Sequence, residues 1–161
     1  MHSNEKMIRD FYAAFAKRDA TGMAQCYHPD VTFTDPAFPM LHGAEASAMW
    51  AMLTSRAKDN FEIILVETNA DDQGGTAKWE ARYTFTQTGR KVHNKIDAVF
   101  AFRDGKIIRH IDRFPFWRWS SQALGLIGTV LGWSLPIKSV VRKKAKTALM
   151  QFMKRGDYPR P

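Results

Sequence analysis

The sequence predicts an α+β domain in which helices cover one face of a curved antiparallel sheet. Apolar residues recur at helical spacing up to about residue 57, whereas residues 61–114 alternate between apolar and polar, as strands do. Short turn sequences, such as Arg103-Asp104-Gly105, separate the alternating runs. The resulting order, α-α-β-α-β-β-β-β, is typical of a layered α+β fold.

Three helices are predicted in the N-terminal part. The first covers residues 3–18, because Ser3 and Asn4 are N-cap candidates before a helically spaced apolar series. The second covers about 21–27. The third runs from 43 to about 57 and has an apolar side that consists of Met49, Trp50 and Leu53.

The first strand lies within HPDVTFTDPAF, residues 28–38, and ends at a carboxylate. Val31-Thr32-Phe33 has strand propensity, and Pro36 cannot donate to a sheet ladder, so Asp35 is held extended at the strand end. Asp35 is either a turn residue on the surface or an acid in an apolar cavity. Four further strands are predicted at residues 61–68, 76–87, 91–102 and 106–114.

The last hairpin places polar residues on an apolar face. A three-residue turn, Arg103–Gly105, pairs Phe100 with Ile108, Ala98 with His110 and Ile96 with Asp112. A two-residue turn would instead pair Asp97 with Asp112. We prefer the first register, because the second turns Lys95 and Arg103 towards the core side.

In the preferred register Asn94, His110 and Asp112 share a face with Phe100. A buried polar group without a partner costs roughly 1–3 kcal/mol, so these three groups either satisfy one another or line a cavity. One interpretation is a structural Asp–His pair that closes the end of the sheet. The other is a pocket with an acid/base pair, since histidine titrates near neutral pH and an apolar wall raises a carboxylate pKa.

These residues resemble a known family. The Tyr27-x-x-Asp30-x-x-x-x-Asp35-Pro36 element and the hairpin FAFRDGKIIRHIDRF, residues 100–114, are similar to the nuclear transport factor 2-like (NTF2-like) superfamily, over about residues 5–116. Within it, SnoaL-like polyketide cyclases and ketosteroid isomerase-like proteins have the most similar pattern. The resemblance implies a cone-shaped domain with a deep apolar pocket and a homodimer formed through the outer face of the sheet.

The resemblance also implies site residues. The aspartate before this proline is the proton-shuttling base of ketosteroid isomerases, which corresponds to Asp35. In the polyketide cyclases an aspartate of the later strands acts as acid/base without a cofactor, which suits Asp112 with His110. We therefore expect catalytic Asp35, His110 and Asp112, with His110 between two carboxylates at opposite walls. The expected ligand-binding residues are Tyr12, Trp50, Trp79, Tyr83, Asn94 and Phe114, although each of these aromatic residues also fits an ordinary core.

Steroid isomerisation itself is not expected. Phe11 occupies the position of the isomerases' oxyanion-hole tyrosine, and strand parity favours Ala98 over Asp97 at the position of their second aspartate. The Asp–Arg–Asp relay of limonene epoxide hydrolases, which share the fold, does not assemble from the sequence either.

Composition excludes several other classes of protein. The five histidines lack metalloprotease spacing, the single cysteine cannot form an intrachain disulfide, and neither a phosphate-binding loop nor a Gly-x-Ser-x-Gly elbow occurs. We expect no metal and no cofactor. Without a secretory signal in its first ten residues, the chain is expected to be cytoplasmic.

The positive charge lies in the C-terminal part. Residues 1–116 contain 15 basic and 15 acidic residues, whereas residues 117–161 contain 9 basic residues and one acid. This distribution argues against a nucleic-acid partner for the whole protein. We divide the chain into an NTF2-like domain, 1–117, and a basic extension, 118–161, with an amphipathic helix over 138–155. That helix either packs on its own domain or a dimer partner, or lies on an anionic membrane surface.

The most specific functional hypothesis is a cofactor-free enzyme that acts on a small apolar carbonyl compound by acid/base chemistry, as an isomerase or an aldol cyclase. The alternative is a non-catalytic module that binds an apolar ligand in the same pocket.

Overall fold

The computed structural model describes residues 1–161 and has helices on one side of a single sheet. The predicted helices and strands are all present, with ends that differ by a few residues, and a two-residue strand and two short helices are added to them. The elements are α1 (Ser3–Ala16), α2 (Ala20–Cys26), β1 (Tyr27–Thr34), β2 (Leu41–His42), α3 (Ala44–Ser55), β3 (Glu62–Ala70), β4 (Gly75–Phe85), β5 (Arg90–Arg103), β6 (Lys106–Arg113), α4 (Phe116–Leu124), α5 (Leu126–Leu131) and α6 (Leu135–Lys154).

The sheet has six strands in the order β2-β1-β6-β5-β4-β3. Neighbouring strands are antiparallel except for β1 and β6, which run parallel and pair Phe33 with His110. The expectation of a wholly antiparallel sheet is therefore corrected at this pair. This parallel pair places β1, which ends immediately before Asp35, directly beside the strand that carries His110 and Asp112.

The β5–β6 hairpin follows neither of the two registers expected from the sequence. Asp104 and Gly105 form a two-residue turn with positive φ angles of 52° and 72°, and Phe102 pairs with Ile107. A bulge then inserts one residue into β6, so that Phe100 pairs with His110, not with Ile108, and Ala98 pairs with Asp112. Beyond the bulge, the residues of β6 that face the core are again those that the three-residue turn predicts.

The predicted faces are therefore correct for β5 and for β6 beyond the bulge, although the partners are not; before the bulge, Ile107 is buried in place of the expected Ile108. Asn94, His110 and Asp112 are all buried on the inner side of the sheet, whereas Asp97 is exposed on the outer side. The same face of β5 contributes Ile96, Ala98 and Phe100 to the core.

The main core lies between this inner face and helices α1 to α3. Helix α1 buries Ile8, Phe11, Tyr12 and Phe15, which lie three or four residues apart and so share one side of the helix. Helix α3 buries most of its length, including Met49 and Trp50; Leu53, expected on the same side, is exposed.

The C-terminal helices pack on the same domain. Leu149 of α6 is buried in the main core, with Ala145, Ala148 and Phe152 packed around it, and the Arg142 Nε donates a 2.9 Å hydrogen bond to the Pro36 carbonyl. Helix α4 forms a second, smaller core through Phe116, Trp119, Ala123 and Val92 of β5. Of the alternatives for this segment, packing on its own domain is the one observed. The division of the chain at residue 117 stays a prediction.

None of the helices combines the length and the apolar character that a transmembrane span requires.

Candidate active site

A cavity of about 330 Å³ lies between α3, the inner face of the sheet and α6. Most of its lining is apolar, and it includes Trp50, Trp79, Phe114 and, from α6, Val141 and Ala148. Asp35, Asn94 and Asp112 also line it. Carboxyl groups from two different strands therefore share one apolar cavity.

Asp112 is at the end of a chain of buried hydrogen bonds. The Trp50 Nε1 donates to the Tyr27 hydroxyl at 2.7 Å, this hydroxyl lies 2.8 Å from the His110 Nδ1, and the His110 Nε2 lies 2.9 Å from the Asp112 Oδ1. The Trp79 Nε1 donates to the same oxygen at 3.3 Å. Asp112 is thus held on one oxygen only, and its Oδ2 has no partner within the protein.

The order of donors fixes the tautomer of His110. Tyr27 accepts the Trp50 N–H, so its own proton is available for the His110 Nδ1, which must then be unprotonated. The proton of a neutral ring is therefore on Nε2 and is donated to Asp112. Two N–H donors, those of Trp79 and His110, therefore converge on one oxygen of Asp112.

His110 lies behind the cavity wall and not between the two carboxyl groups. It is fully buried, and the rings of Phe11, Phe33, Trp50 and Phe100 surround it, with centroid distances of 4.4 to 5.9 Å. It is absent from the cavity lining, so the expectation that it stands between Asp35 and Asp112 is wrong. From behind the wall, its Nε2 lies 2.9 Å from the Asp112 Oδ1.

Asp35 combines the two interpretations that the sequence left open. Its Oδ1 accepts hydrogen bonds from the backbone N–H of Ala37 at 2.8 Å and of Phe38 at 2.6 Å, which makes it the cap of a turn. It also lines the cavity, and its Oδ2 makes no hydrogen bond within the protein. Burial in the apolar wall raises the pKa of Asp35 to about 7, and the negative charge of Asp112 adds to the rise against the opposing effect of the two N–H donors.

Two further polar side chains, those of Asn94 and Tyr83, line the cavity, and their N–H or O–H groups donate to no other group of the protein. The Asn94 side chain is buried in the lining and makes no hydrogen bond within the protein. The Tyr83 hydroxyl accepts a 2.8 Å hydrogen bond from the Trp119 Nε1, so its proton is free to be donated. Burial raises the pKa of Tyr83 to about 12, and this phenol therefore stays protonated at neutral pH.

Of the six residues expected to bind a ligand, five line the cavity: Trp50, Trp79, Tyr83, Asn94 and Phe114. Tyr12 does not. It is buried behind Trp79, at a ring distance of 5.4 Å, and its hydroxyl has no hydrogen-bond partner.

The sequence does not indicate two components of the site. Tyr27 belongs to the motif described above, but the pattern gives no sign that it connects Trp50 to His110. Trp119 of α4 supports Tyr83. Both depend on contacts between elements far apart in the chain, for which local patterns carry no signal.

The comparisons with known proteins identify the family. The model of the SnoaL-like domain matches residues 8–110, which is more than half of the chain. The chain belongs to the SnoaL-like domain family. The family match ends before α4, so it covers Asp35 and most of the sheet but neither Asp112 nor the C-terminal helices.

Solved structures show the same fold. A protein from Catenulispora acidiphila with a ketosteroid isomerase-like fold, crystallised with trimethylamine, is 15% identical, with a TM-score of 0.65 over 80% of this chain and 97% of that one. An LEH-like epoxide hydrolase from M. tuberculosis is 17% identical, with a TM-score of 0.64 over 80% of this chain and 96% of that one.

A putative polyketide cyclase from Xanthomonas campestris is 22% identical, with a TM-score of 0.58 over 74% of this chain and 96% of that one. At these identities the structures establish the NTF2-like fold and leave the reaction open. No curated protein matches the chain.

Proposed function

We propose that this protein is a cofactor-free acid/base enzyme that acts on a small apolar carbonyl compound, as an isomerase or an intramolecular aldol cyclase. The observation that carries the proposal is the pair Asp35 and Asp112, two carboxyl groups in one apolar cavity with different surroundings. Neighbouring carboxyl groups whose environments favour opposite charge states are the usual arrangement of an acid and a base.

Asp112 is the base in this proposal. Its Oδ1 accepts two N–H donors, and its Oδ2 is free to take a proton from the carbon next to a carbonyl group. The chain from Trp50 through Tyr27 and His110 holds the carboxylate in one orientation. His110 acts through Asp112 and does not exchange a proton with the substrate.

Asp35 is the acid. With a pKa of about 7 it carries a proton for a large fraction of the time at neutral pH, so it can donate to the carbonyl oxygen as negative charge develops there. The Asn94 amide and the Tyr83 hydroxyl supply further donors in the same wall. Proton removal by Asp112 and proton donation by Asp35 convert a ketone to its enol.

Both reaction types start from this enol. In an isomerase, a proton returns to a different carbon. In an aldol cyclase, the enol carbon attacks a second carbonyl group of the same molecule, and one of the two carboxyl groups protonates the oxygen formed. Neither route requires an electron acceptor or a metal, in line with the expectation of no cofactor.

The proposed substrate is a ring-bearing, mainly apolar molecule. The volume of about 330 Å³ is at the lower end of ligand pockets. Trp50, Trp79 and Phe114 supply flat apolar surfaces for a ring, and Asp35, Asn94, Tyr83 and Asp112 supply polar groups that orient it.

The proposal is tested by exchange of the protons next to a carbonyl group. Bicyclic aryl ketones incubated in D₂O report this exchange by NMR, without knowledge of the natural reaction. Asp112→Asn is expected to lower the enzyme-catalysed rate by roughly 10²–10⁴-fold, the usual contribution of a general base. Asp35→Asn should lower it less, because its amide still donates a hydrogen bond.

Asp97→Asn is the matched control, since Asp97 lies on the outer face of the same sheet. It should leave the rate unchanged. Equal rates in wild type, Asp35→Asn and Asp112→Asn would reject the enzyme proposal. If the same ketones still stabilise these variants against unfolding, that result favours the alternative, a non-catalytic module that binds an apolar ligand.

Three expectations stay predictions: a homodimer formed through the outer face of the sheet, a cytoplasmic location and the absence of a nucleic-acid partner. Sedimentation equilibrium of the full chain tests the first of them.

A further inference from the structure

The largest group of exposed apolar side chains lies at one end of the molecule, between α4 and α6. Residues 126–135, which we call the apolar tip, expose six large side chains to solvent: Leu126, Ile127, Val130, Leu131, Trp133 and Leu135. Leu126, Trp133 and Leu135 are 79%, 74% and 82% exposed. A concentration of this kind marks an interaction surface, since exposed apolar residues are otherwise scattered.

The tip is held in a fixed pose with its apolar side outward. Leu126, Ile127, Val130 and Leu131 lie one or four residues apart and therefore share one side of α5. The opposite side carries Gly128 and Gly132, which lie so close to Ser120 of α4 that no side chain would fit. The Trp117 Nε1 also donates a 2.9 Å hydrogen bond to the Thr129 carbonyl. The exposure of the apolar residues thus follows from the packing of the glycine side.

The charges that flank the tip along the chain are all positive. Residues 119–137 contain no charged side chain, and no acid occurs between Asp112 and Asp157. Lys138, Arg142, Lys143, Lys144 and Lys146 follow within the first twelve residues of α6. An apolar surface followed by a cluster of cations complements a surface that is apolar inside and anionic outside, which is the chemistry of an anionic phospholipid bilayer.

Helix α6 cannot itself lie in a membrane by its apolar face, as the sequence suggested for residues 138–155. Leu149 is buried in the main core, with Ala148 and Phe152 packed beside it, so this face is already covered by the domain. The tip, which includes Leu135 at the start of α6, is the apolar element that remains available, and the basic residues of α6 supply the charges.

We propose that the apolar tip docks on anionic lipid membranes, with Trp133 and its neighbours in the interfacial region and the lysines of α6 against the headgroups. Tryptophan is enriched at this depth of a bilayer. Docking does not depend on the reaction proposed above. Leu124 before the tip and Ile137 after it both line the cavity, so the docked orientation holds the cavity wall beside the bilayer.

Vesicle sedimentation of the full chain tests the proposal. We expect the protein to pellet with vesicles that contain about one third phosphatidylglycerol, and to pellet much less with phosphatidylcholine alone or at high salt. Ile127→Ser/Trp133→Ser should abolish pelleting, and so should Leu126→Ser/Leu135→Ser as a second pair. Lys143→Glu/Lys146→Glu should remove the preference for the anionic lipid.

Two matched controls separate the tip from general effects. Val66→Ser removes an equally exposed apolar side chain on β3, and Lys17→Glu/Lys95→Glu changes two exposed charges away from α6. Both should pellet like wild type. A protein that stays in the supernatant with anionic vesicles overturns the proposal, as does unchanged pelleting of both tip variants. Sedimentation equilibrium that shows a dimer which the tip variants convert to monomers also overturns it, because the tip is then an interface between two copies of the chain.

Discussion

Asp35 is a residue whose charge state depends strongly on its surroundings. Its pKa rises from 3.8 to about 7 mainly through burial, so the folded protein binds this proton more tightly than the unfolded chain does. The contribution of Asp35 to stability is therefore complete below about pH 4 and is lost as the pH rises through about 7.

We expect Asp35→Asn to be more stable than wild type above about pH 7, by at most about 4 kcal/mol at 1.36 kcal/mol per pKa unit. The difference should disappear towards about pH 4, and the asparagine oxygen can still cap the turn at Ala37 and Phe38. Urea unfolding across this pH range measures the effect. Asp97→Asn, an exposed control, should show no comparable dependence, and a pH-independent difference at position 35 would mean that its carboxyl group titrates normally.

Two buried tyrosines provide a matched test of the hydrogen-bond chain. The Tyr27 hydroxyl joins Trp50 to His110, so Tyr27→Phe leaves two buried polar groups unpaired and should cost about 2–4 kcal/mol. The Tyr12 hydroxyl is equally buried but has no partner, so Tyr12→Phe should be neutral or stabilising. Urea unfolding compares the two variants. Similar losses in both would show that the chain does not contribute.

At the residue scale, strand alternation was sufficient to place Asn94, His110 and Asp112 on the buried face. It was not sufficient to distinguish a residue in the cavity wall from one behind it. His110 and Asp112 have the same parity, and His110 is covered because rings from distant elements, among them those of Phe33 and Trp50, lie against it.

At the scale of elements, the β5–β6 hairpin shows where local patterns fail. The two-residue turn at Asp104-Gly105 and the bulge near Ile108 each shift the register by one residue, and together they return the same faces to the core. The bulge interrupts the alternation between Ile107 and His110, so the faces were predictable beyond it, whereas the face of Ile108 and the strand pairs were not.

At the contact between α4 and α5, replacement of a glycine by alanine is expected to destabilise the protein, which is the opposite of the usual effect within a helix. Alanine normally stabilises a helix relative to glycine by about 1 kcal/mol. At Gly128, however, a Cβ atom would lie 1.8 Å from the Ser120 carbonyl oxygen, so Gly128→Ala should cost about 1–3 kcal/mol. Thermal unfolding checks this, with the exposed Val130→Ala as the control within the same helix. A Gly128→Ala protein as stable as wild type would mean that α5 does not pack closely on α4.

At the scale of the whole molecule, α6 completes the domain and the cavity. Leu149→Ala should destabilise the protein by about 2–5 kcal/mol, because it removes a side chain from the main core. Met150→Ala, its half-exposed neighbour, should change stability by less than about 0.5 kcal/mol. Equal effects of the two substitutions in urea unfolding would place α6 away from the domain in solution.

The amphipathic pattern of residues 138–155 was sufficient to predict a helix with one apolar side. It did not identify the surface against which that side packs, because many apolar surfaces would satisfy it equally. The contribution of α6 to the cavity wall and the exposure of the apolar tip both follow from this choice of surface.

The most direct test of the central claim is the pH dependence of ketone proton exchange, corrected for the exchange that hydroxide alone produces. If Asp112 is the base and Asp35 the acid, the wild-type rate should fall as the pH rises, with a midpoint near the Asp35 pKa of about 7. Asp35→Asn should remove this midpoint, and Asp112→Asn should remove the catalysed rate. A wild-type rate that is constant or rises through this range, or a midpoint that survives in Asp35→Asn, would contradict the account.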